Sequence, residues 1–479
     1  MPFVKLLAAW AAAMVCPLAA IAAVLSLRIV DEHGRTAHAR VRILDAQQQA
    51  LPVTGLLPAH PNFPELGVIV PGHARISLPP GSASALIDRG PEYELVDMAL
   101  ENGEMERRIQ LKRVVDMAGR GWWSGDLHVH RAPREMEALQ QASDLHVAPP
   151  ITCFNDTSQV RSWPANCEDE RRWGAALFVG VRSPMMLYPR NSEYPPPGRT
   201  WQEARDRGAF IDLEKVIWWE SPVMAALNPP DTIGVAVNHF LEDTISTRAS
   251  LARPRDETKY SGTEGFGRYI LDLYATYLSA GFRIPASAGS ANGVAKNALG
   301  YNRSYVYLGR KFSLESWLSG QKAGRNFVTN GPMLSFTAND QVPGSVLPEG
   351  NTPIRIRLEC ESRSPLQRAE VVVDGEVVAT FTPEQGNTRL HGAGSVRVSS
   401  GGWMVARCFE REPRTLRFAH TSPIYVGPTA RRSPHALAFL REWVDAEIQR
   451  VERLPVEALT PPQKAEVLNL CRKARRRYE

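Results

Sequence analysis

Short segments of alternating apolar and polar residues occupy the start of the chain. These segments are residues 25–30, 39–44, 74–78 and 106–115. Because successive side chains of a β-strand point to opposite faces, such alternation predicts strands with one buried face. Turn-forming Pro79-Pro80-Gly81 follows the third segment. The pattern predicts an N-terminal β-sandwich over residues 24–118.

The pattern changes over residues 119–334, where short apolar runs alternate with segments whose apolar residues recur at helical spacing. Residues 175–180 and 233–237 are almost wholly apolar, as in buried parallel strands. Phe266, Ile270 and Tyr274 recur at helical spacing. Alternating strands and helices over this length indicate an α/β barrel or a layered sheet.

Strand patterns return over residues 335–427, and Asp374-Gly375 marks a hairpin turn between two apolar runs. We interpret this part as a second small β-sandwich. Residues 433–479 then show apolar residues at helical spacing, which predicts a helical tail packed on the core. Pro455 and the Pro461-Pro462 pair divide the tail into two helices.

The first 22 residues resemble a cleavable signal peptide. Lys5 precedes a short apolar run, and Ala20-Ile21-Ala22 fits a small-x-small cleavage site. No later run is apolar enough to cross a bilayer. We therefore expect export to the periplasm or the extracellular space, and no membrane span after cleavage.

Composition narrows the function classes. The 479 residues are 43% hydrophobic and 22% charged, which is typical of a globular protein. The net charge of +5 is spread along the chain apart from a basic helix end at residues 472–477, so we expect no nucleic-acid partner. Five cysteines follow the signal peptide, and in an exported chain two pairings could be disulfides. These pairings are Cys153 with Cys167 and Cys360 with Cys408.

The candidate chemistry centres on Gly125-Asp126-Leu127-His128-Val129-His130. In an extended strand, side chains two residues apart face the same way, so Asp126, His128 and His130 can point at one spot. Neutral imidazole is the commonest protein ligand for metals. Two imidazoles with a carboxylate behind them make half of a divalent metal site. A strand with two histidines satisfied by hydrogen bonds is the simpler alternative.

Further candidate ligands lie in the same part of the chain. His239 follows the apolar run at residues 233–237, and Glu214 follows another short apolar run. At the carboxyl ends of strands such residues could complete the site. His146 is a further histidine of this region. A surface salt bridge is the simpler alternative for Glu214 taken alone.

The motif at residues 125–130 resembles the first motif of the PHP (polymerase and histidinol phosphatase) superfamily. Residues 120–335 are similar to its CehA/McbA-type metallohydrolases, through Glu168-Asp-Glu-Arg171, residues 285–290, 299–307 and 317–332. The N-terminal strands resemble the sandwich modules attached to carboxypeptidases. The resemblance implies a distorted PHP-like β/α barrel flanked by two β-sandwiches and a helical tail. It also implies hydrolysis of ester, carbamate or phosphoester bonds.

Only His128 and His130 carry over from the family motifs. The second motif, Thr-Asp-His, would fall at residues 152–154, where its acid and its histidine are both absent. The closing Gly-Ser-Asp-x-His is replaced by residues 289–293, Gly-Ser-Ala-Asn-Gly. His146, Glu214 and His239 are candidate substitutes by their placement alone.

Two hypotheses follow. In the first, zinc or manganese held by His128, His130, Glu214 and His239 activates water for attack on a small-molecule or cell-surface substrate. Asp126 then acts as base or orients a histidine. Arg131, a second catalytic candidate, or Arg303 would steady an anionic substrate, and the candidate substrate-binding residues are His146 and Arg303. In the second hypothesis the chain has lost catalysis and binds a carbohydrate or cell-surface ligand. The tryptophans that suit that alternative are Trp122, Trp123, Trp218 and Trp219.

Overall fold

The computed structural model describes residues 23–101, 103–155, 162–247, 251–350 and 352–479. The first part of the chain forms two mainly antiparallel sheets around one core. The strands are β1 (Val24–Val30), β2 (Ala39–Asp45), β3 (Ala50–Leu51), β4 (Leu57–Pro58), β5 (Val68–Val70), β6 (His73–Ser77), β7 (Ser82–Asp88), β8 (Val96–Ala99) and β9 (Glu104–Gln110). One sheet has the order β6-β1-β9, and the other β4-β5-β2-β7-β8 with β3 beside β2. The alternating residues Leu25, Leu27 and Ile29 are fully buried between them.

The middle of the chain mixes strands and helices. Its elements are β10 (Trp122–Gly125), α1 (Met136–Ala142), β11 (Cys153–Phe154), β12 (Ala165–Arg171), β13 (Gly174–Val181), α2 (Pro197–Asp206), β14 (Phe210–Leu213), α3 (Ser221–Leu227), β15 (Thr232–Ala236), α4 (Gly265–Ser279), β16 (Ala286–Ala288), β17 (Arg303–Tyr307), α5 (Leu314–Lys322) and β18 (Asn326–Thr329). Six strands form one sheet in the order β11-β12-β13-β14-β15-β16.

The expected PHP-like barrel is wrong for this chain. Strands hold 34% of the residues and helices 20%, and no closed barrel is evident in the described ranges. The cause lies in the connections. Strands β12 and β13 are antiparallel and joined by the two residues Arg172 and Trp173, without the helix that a barrel unit requires. Strands β10, β17 and β18 pair in a different sheet.

The last part of the chain forms a second pair of sheets and two helices. The elements are β19 (Met333–Ala338), β20 (Val346–Leu347), β21 (Ile354–Glu361), β22 (Leu366–Val373), β23 (Glu376–Phe381), β24 (Arg389–Val396), β25 (Trp403–Glu410), β26 (Phe418–Thr421), β27 (Ile424–Val426), α6 (Pro434–Arg453) and α7 (Pro461–Arg476). One sheet is β19-β21-β24, and the other runs β10-β17-β18-β26-β25-β22-β23 with β27 and β20 attached. This second sheet crosses the boundary expected at residue 334, and the domain limits stay a prediction.

The predicted helical tail is present. Trp443 and Leu440 of α6 are fully buried, and the Trp443 ring lies 6.4 Å from that of Tyr277 in α4. Helix α7 begins at the Pro461-Pro462 pair, as expected. No helix in the described ranges has the length and apolarity needed to cross a bilayer. The expected signal peptide and Cys16 lie outside the described residues.

One of the two expected disulfides is present. Cys153 and Cys167 are bonded, with their Cα atoms 4.6 Å apart. Cys360 and Cys408 are free and buried, so that pairing is wrong for this structure. Burial, together with the neighbouring Cys360 thiol, raises the pKa of Cys408 far above its usual range.

Thiol titration checks this pairing. In a denatured, unreduced chain starting at residue 23, we expect three free thiols, those of Cys360, Cys408 and Cys471. Reduction of the denatured chain should raise the count to five, because the Cys153–Cys167 bond then opens. Five thiols without reductant, or one, would contradict the structure.

Candidate metal centre

The segment Asp126–His130 leaves the end of β10 as an irregular chain, not as the expected strand. Isolated β-bridges pair Val129 with Pro150 and with Asn292. Leu127 and Val129 are buried at 1% and 0% exposure, so they face the core. His128 and His130 therefore project together from the opposite face, as the period-two argument requires.

The two imidazoles meet a buried carboxylate from another strand. The Nε2 atoms of His128 and His130 lie 2.9 Å apart. The Oε2 atom of Glu168, in β12, lies 3.1 Å from Nε2 of His130 and 3.5 Å from Nε2 of His128. Two ligand atoms of a tetrahedral zinc ion are about 3.3 Å apart. The three donor atoms thus have the spacing of a metal site.

The hydrogen bonding of these atoms supports a cation between them. Glu168 Oε2 is buried, and neither ring nitrogen directs an aligned N–H group at it although both lie within 3.5 Å. A buried polar atom without a partner needs an explanation such as an ion. The two Nε2 atoms face each other at hydrogen-bond distance, so only one of them can carry a proton. A divalent cation would satisfy all three donors, and these residues fit one. In the described ranges they are the one group of this kind.

The charges of the site favour added positive charge. Burial alone would lower the pKa of His128, but Glu214 and Glu168 outweigh it and raise this pKa to about 10. Burial would raise the pKa of Glu168, but His128 and His130 lower it to about 2. For Glu214, burial is outweighed by Lys215 and His128, which hold its pKa well below its usual range. Both carboxylates are therefore anionic at neutral pH.

Glu214 lies beside the ligands and not among them, which corrects its expected role. Its Oε1 atom is 3.0 Å from Nδ1 of His128, on the side of the ring away from His130. The same oxygen pairs with the buried ammonium of Lys215, which also lies 4.3 Å from the centre of the Trp218 ring. A carboxylate at this nitrogen fixes the ring and directs Nε2 toward a metal.

His239 does not join the donor group. Its Nδ1 atom lies 2.5 Å from the carbonyl oxygen of Ser246, and its ring lies 5.1 Å from that of Phe266. Burial and then Lys215 lower the pKa of His239 to about 4, so the ring is neutral at pH 7. The expectation that His239 is a ligand is not met by this arrangement.

Asp126 supports the backbone of the histidine segment. It is fully buried and accepts hydrogen bonds from the amides of Ser290 (3.0 Å), Gly300 (2.8 Å) and His128 (3.1 Å), and from the Ser290 hydroxyl. These bonds leave no contact with an imidazole ring among the described residues. The carboxylate ties the histidine segment to two other loops, and its role as base or ring orienter stays a prediction that these contacts do not support.

The predicted substrate-binding residues are also engaged elsewhere. Arg131 is 4% exposed and donates to the carbonyls of Pro58 and Ala59, both at 3.0 Å. Arg303 is 1% exposed and donates to the carbonyls of Gly300 and Ser143. His146 bonds to Ser124 Oγ at 2.9 Å and packs edge-on against Trp123. None of the three lies in the donor group, because each binds a neighbouring part of the fold.

Sequence reasoning missed two members of the centre, Glu168 and Lys215. Glu168 belongs to the segment Glu168-Asp-Glu-Arg171, for which the sequence predicted only a family resemblance and no ligand role. A usable signal was present: an acidic residue directly after Cys167 and before the apolar run of β13. Lys215 adjoins Glu214, and a surface position was the natural expectation for it. The structure buries it to 4% exposure.

Comparisons of the chain with protein-family models, with curated proteins and with solved structures give no match. The likeness to the PHP superfamily therefore stays a prediction from the motif. The chemistry available to this chain is therefore set by the geometry around His128, His130 and Glu168.

Replacing Asp126 tests its structural role. We expect Asp126→Ala to lower the free energy of unfolding by roughly 3 kcal/mol or more, since each orphaned buried amide costs about 1–3 kcal/mol. Urea denaturation in the presence of a chelator measures this without any metal contribution. Asp97→Ala, at an exposed carboxylate of β8, is the matched control. Equal stabilities of the two variants would contradict the role.

Proposed function

We propose that this chain is an exported, metal-dependent hydrolase of ester, carbamate or phosphoester bonds. His128, His130 and Glu168 would hold one zinc or manganese ion. The observation that carries the proposal is the convergence of the buried Oε2 atom of Glu168 and two Nε2 atoms at the spacing of metal ligands. Two imidazoles and one carboxylate form a common catalytic ligand set, which leaves a further position open.

A bound divalent ion supplies Lewis-acid activation of water and of a substrate oxygen. The chain's own residues prepare the site for it. With an ion bound, Glu214 would accept the Nδ1 proton of His128 and leave the Nε2 lone pair free for the ion. Lys215 neutralises Glu214, so that Glu168 is the carboxylate whose charge is left for the ion to balance.

The accessible side of the centre lies at His130. Its side chain is 17% exposed, against 5% for His128 and 4% for Glu168. The half-exposed ring of Phe154 stands edge-on to His130, with ring centres 5.8 Å apart. We infer that a substrate approaches along these two rings, and that an apolar or aromatic group of the substrate contacts Phe154.

Export is part of the proposal. The apolar N-terminal segment with Lys5 and Ala20-Ile21-Ala22 supports it. The Cys153–Cys167 disulfide supports it independently, because disulfides persist mainly in oxidising compartments.

A binding protein without turnover is the second candidate. Its support is that Asp126, Arg131 and Arg303 are all held by structural hydrogen bonds. The tryptophan argument for it weakens, since Trp122 and Trp218 are each only 5% exposed. Metal binding without hydrolysis of any tested substrate would favour this candidate.

Metal analysis tests the proposed ligands. We expect purified protein to hold about one equivalent of zinc or manganese. His128→Ala and Glu168→Gln should each weaken binding more than about 100-fold, because each removes a ligand that the others cannot replace. His73→Ala, at an exposed histidine of β6, should bind like the parent. A panel of chromogenic esters and phosphoesters should show turnover that chelation abolishes. A metal-free parent, or undiminished binding in both ligand variants, would contradict the proposal.

Glu214→Gln separates an orienting residue from a ligand. We expect metal affinity to fall about 10–100-fold, the usual cost of losing such a partner, while the one-to-one stoichiometry is kept. Glu137→Gln, at an exposed position of α1, serves as control. Calorimetric titration with Zn²⁺ measures both quantities. Loss of all binding would instead make Glu214 a ligand.

A further inference from the structure

A single segment, residues 150–155, lies between the two halves of the metal centre. On one side it contacts the histidine segment: the amide of Ile151 donates to the Val129 carbonyl at 2.8 Å, and Pro150 bridges Val129. On the other side its strand β11 runs parallel to β12, with Phe154 opposite Glu168. The segment therefore connects the histidine segment directly to the strand that carries Glu168.

The backbone contacts on the Glu168 side are few. Strand β11 has two residues, Cys153 and Phe154. The amide of Thr152 donates to the Asn166 carbonyl at 2.8 Å, and the amide of Asn155 donates to the Glu168 carbonyl at 3.0 Å. A ladder this short is weak by itself, since most strands have five or six residues.

The disulfide reinforces this ladder at one position. Cys153 and Cys167 are register partners in the parallel pair, and Cys167 directly precedes Glu168. Both cysteines are buried, at 4% and 1% exposure. On the opposite strand, Phe154 follows Cys153 and packs against the His130 ring. One covalent bond thus connects the strand of Glu168 to a residue that contacts His130.

We propose that the Cys153–Cys167 disulfide positions Glu168 for metal binding, so that high metal affinity requires this bond. The proposal rests on the function proposed above. Without the bond, β11 and β12 are held by the short backbone ladder and by hydrogen bonds of the Thr152, Asn155 and Asn166 side chains, and the three donor atoms sample a wider range of separations. Ordering them then consumes part of the binding free energy, which lowers the affinity.

The double variant Cys153→Ser/Cys167→Ser tests this. We expect its Kd for Zn²⁺, measured against a competing chelator at a temperature where the protein is folded, to be at least tenfold higher than that of the parent. The absorption spectrum of the Co²⁺-loaded variant should also change, because the carboxylate ligand is less well placed. Such a spectral change reports the ligand geometry and not the overall stability.

Two controls isolate the positioning role. Val371→Ala removes methyl groups from a fully buried site of β22 and so lowers stability far from residues 150–155. Cys471→Ser replaces a buried free thiol in α7. Both should keep the parent Kd for Zn²⁺ and the parent Co²⁺ spectrum.

The outcomes separate the two proposals. A double variant that binds Zn²⁺ within twofold of the parent would overturn the positioning role and leave the metal centre standing. An equal loss of affinity in Val371→Ala would overturn it too, since the effect would then be general destabilisation. A parent that binds neither Zn²⁺ nor Co²⁺ would overturn the proposed function and this inference with it.

Discussion

The burial of two carboxylates beside two imidazoles is the constraint on which this centre depends. Glu168 and Glu214 are both nearly inaccessible, and Lys215 is the cation paired with one of them. A buried charge without a counter-charge is strongly unfavourable. The cluster therefore requires one further positive charge, supplied either by a proton on His128 or by a metal ion. A divalent ion meets this need at the place where the donor atoms already converge.

The surrounding fold holds the histidine segment from several directions. Asp126 joins it to the loops at Ser290 and Gly300. The N-terminal sandwich contributes the carbonyls that receive Arg131, and the Gly293 amide donates to Nε2 of His60 at 3.0 Å. Gly289 has to be a glycine here, because a Cβ atom would lie 2.4 Å from the Cβ of His128. The first sandwich thus supports the centre as well as adjoining it.

Local pattern predicted the elements that depend on local interactions. Alternation over residues 25–30 and helical spacing around Trp443 each correspond to the observed strand and helix. The barrel prediction was wrong because strand pairing is non-local: the two-residue turn after Arg171 makes β12 and β13 antiparallel, and local pattern does not show which strands pair.

The site shows the same division between local and non-local information. The spacing of His128 and His130 predicted that their rings would lie together, and their Nε2 atoms do meet although the segment is not a regular strand. It could not tell that Asp126 lies deeper, among backbone amides. Nor could it identify Glu168, which reaches the rings only through the β11–β12 pairing.

Anomalous diffraction from a metal-loaded crystal, recorded at the absorption edge of the bound metal, tests the central claim most directly. We predict one strong peak about 2.1 Å from Nε2 of His128, Nε2 of His130 and a carboxylate oxygen of Glu168. A peak bound by other residues, or none at this position in a fully loaded protein, would contradict the account.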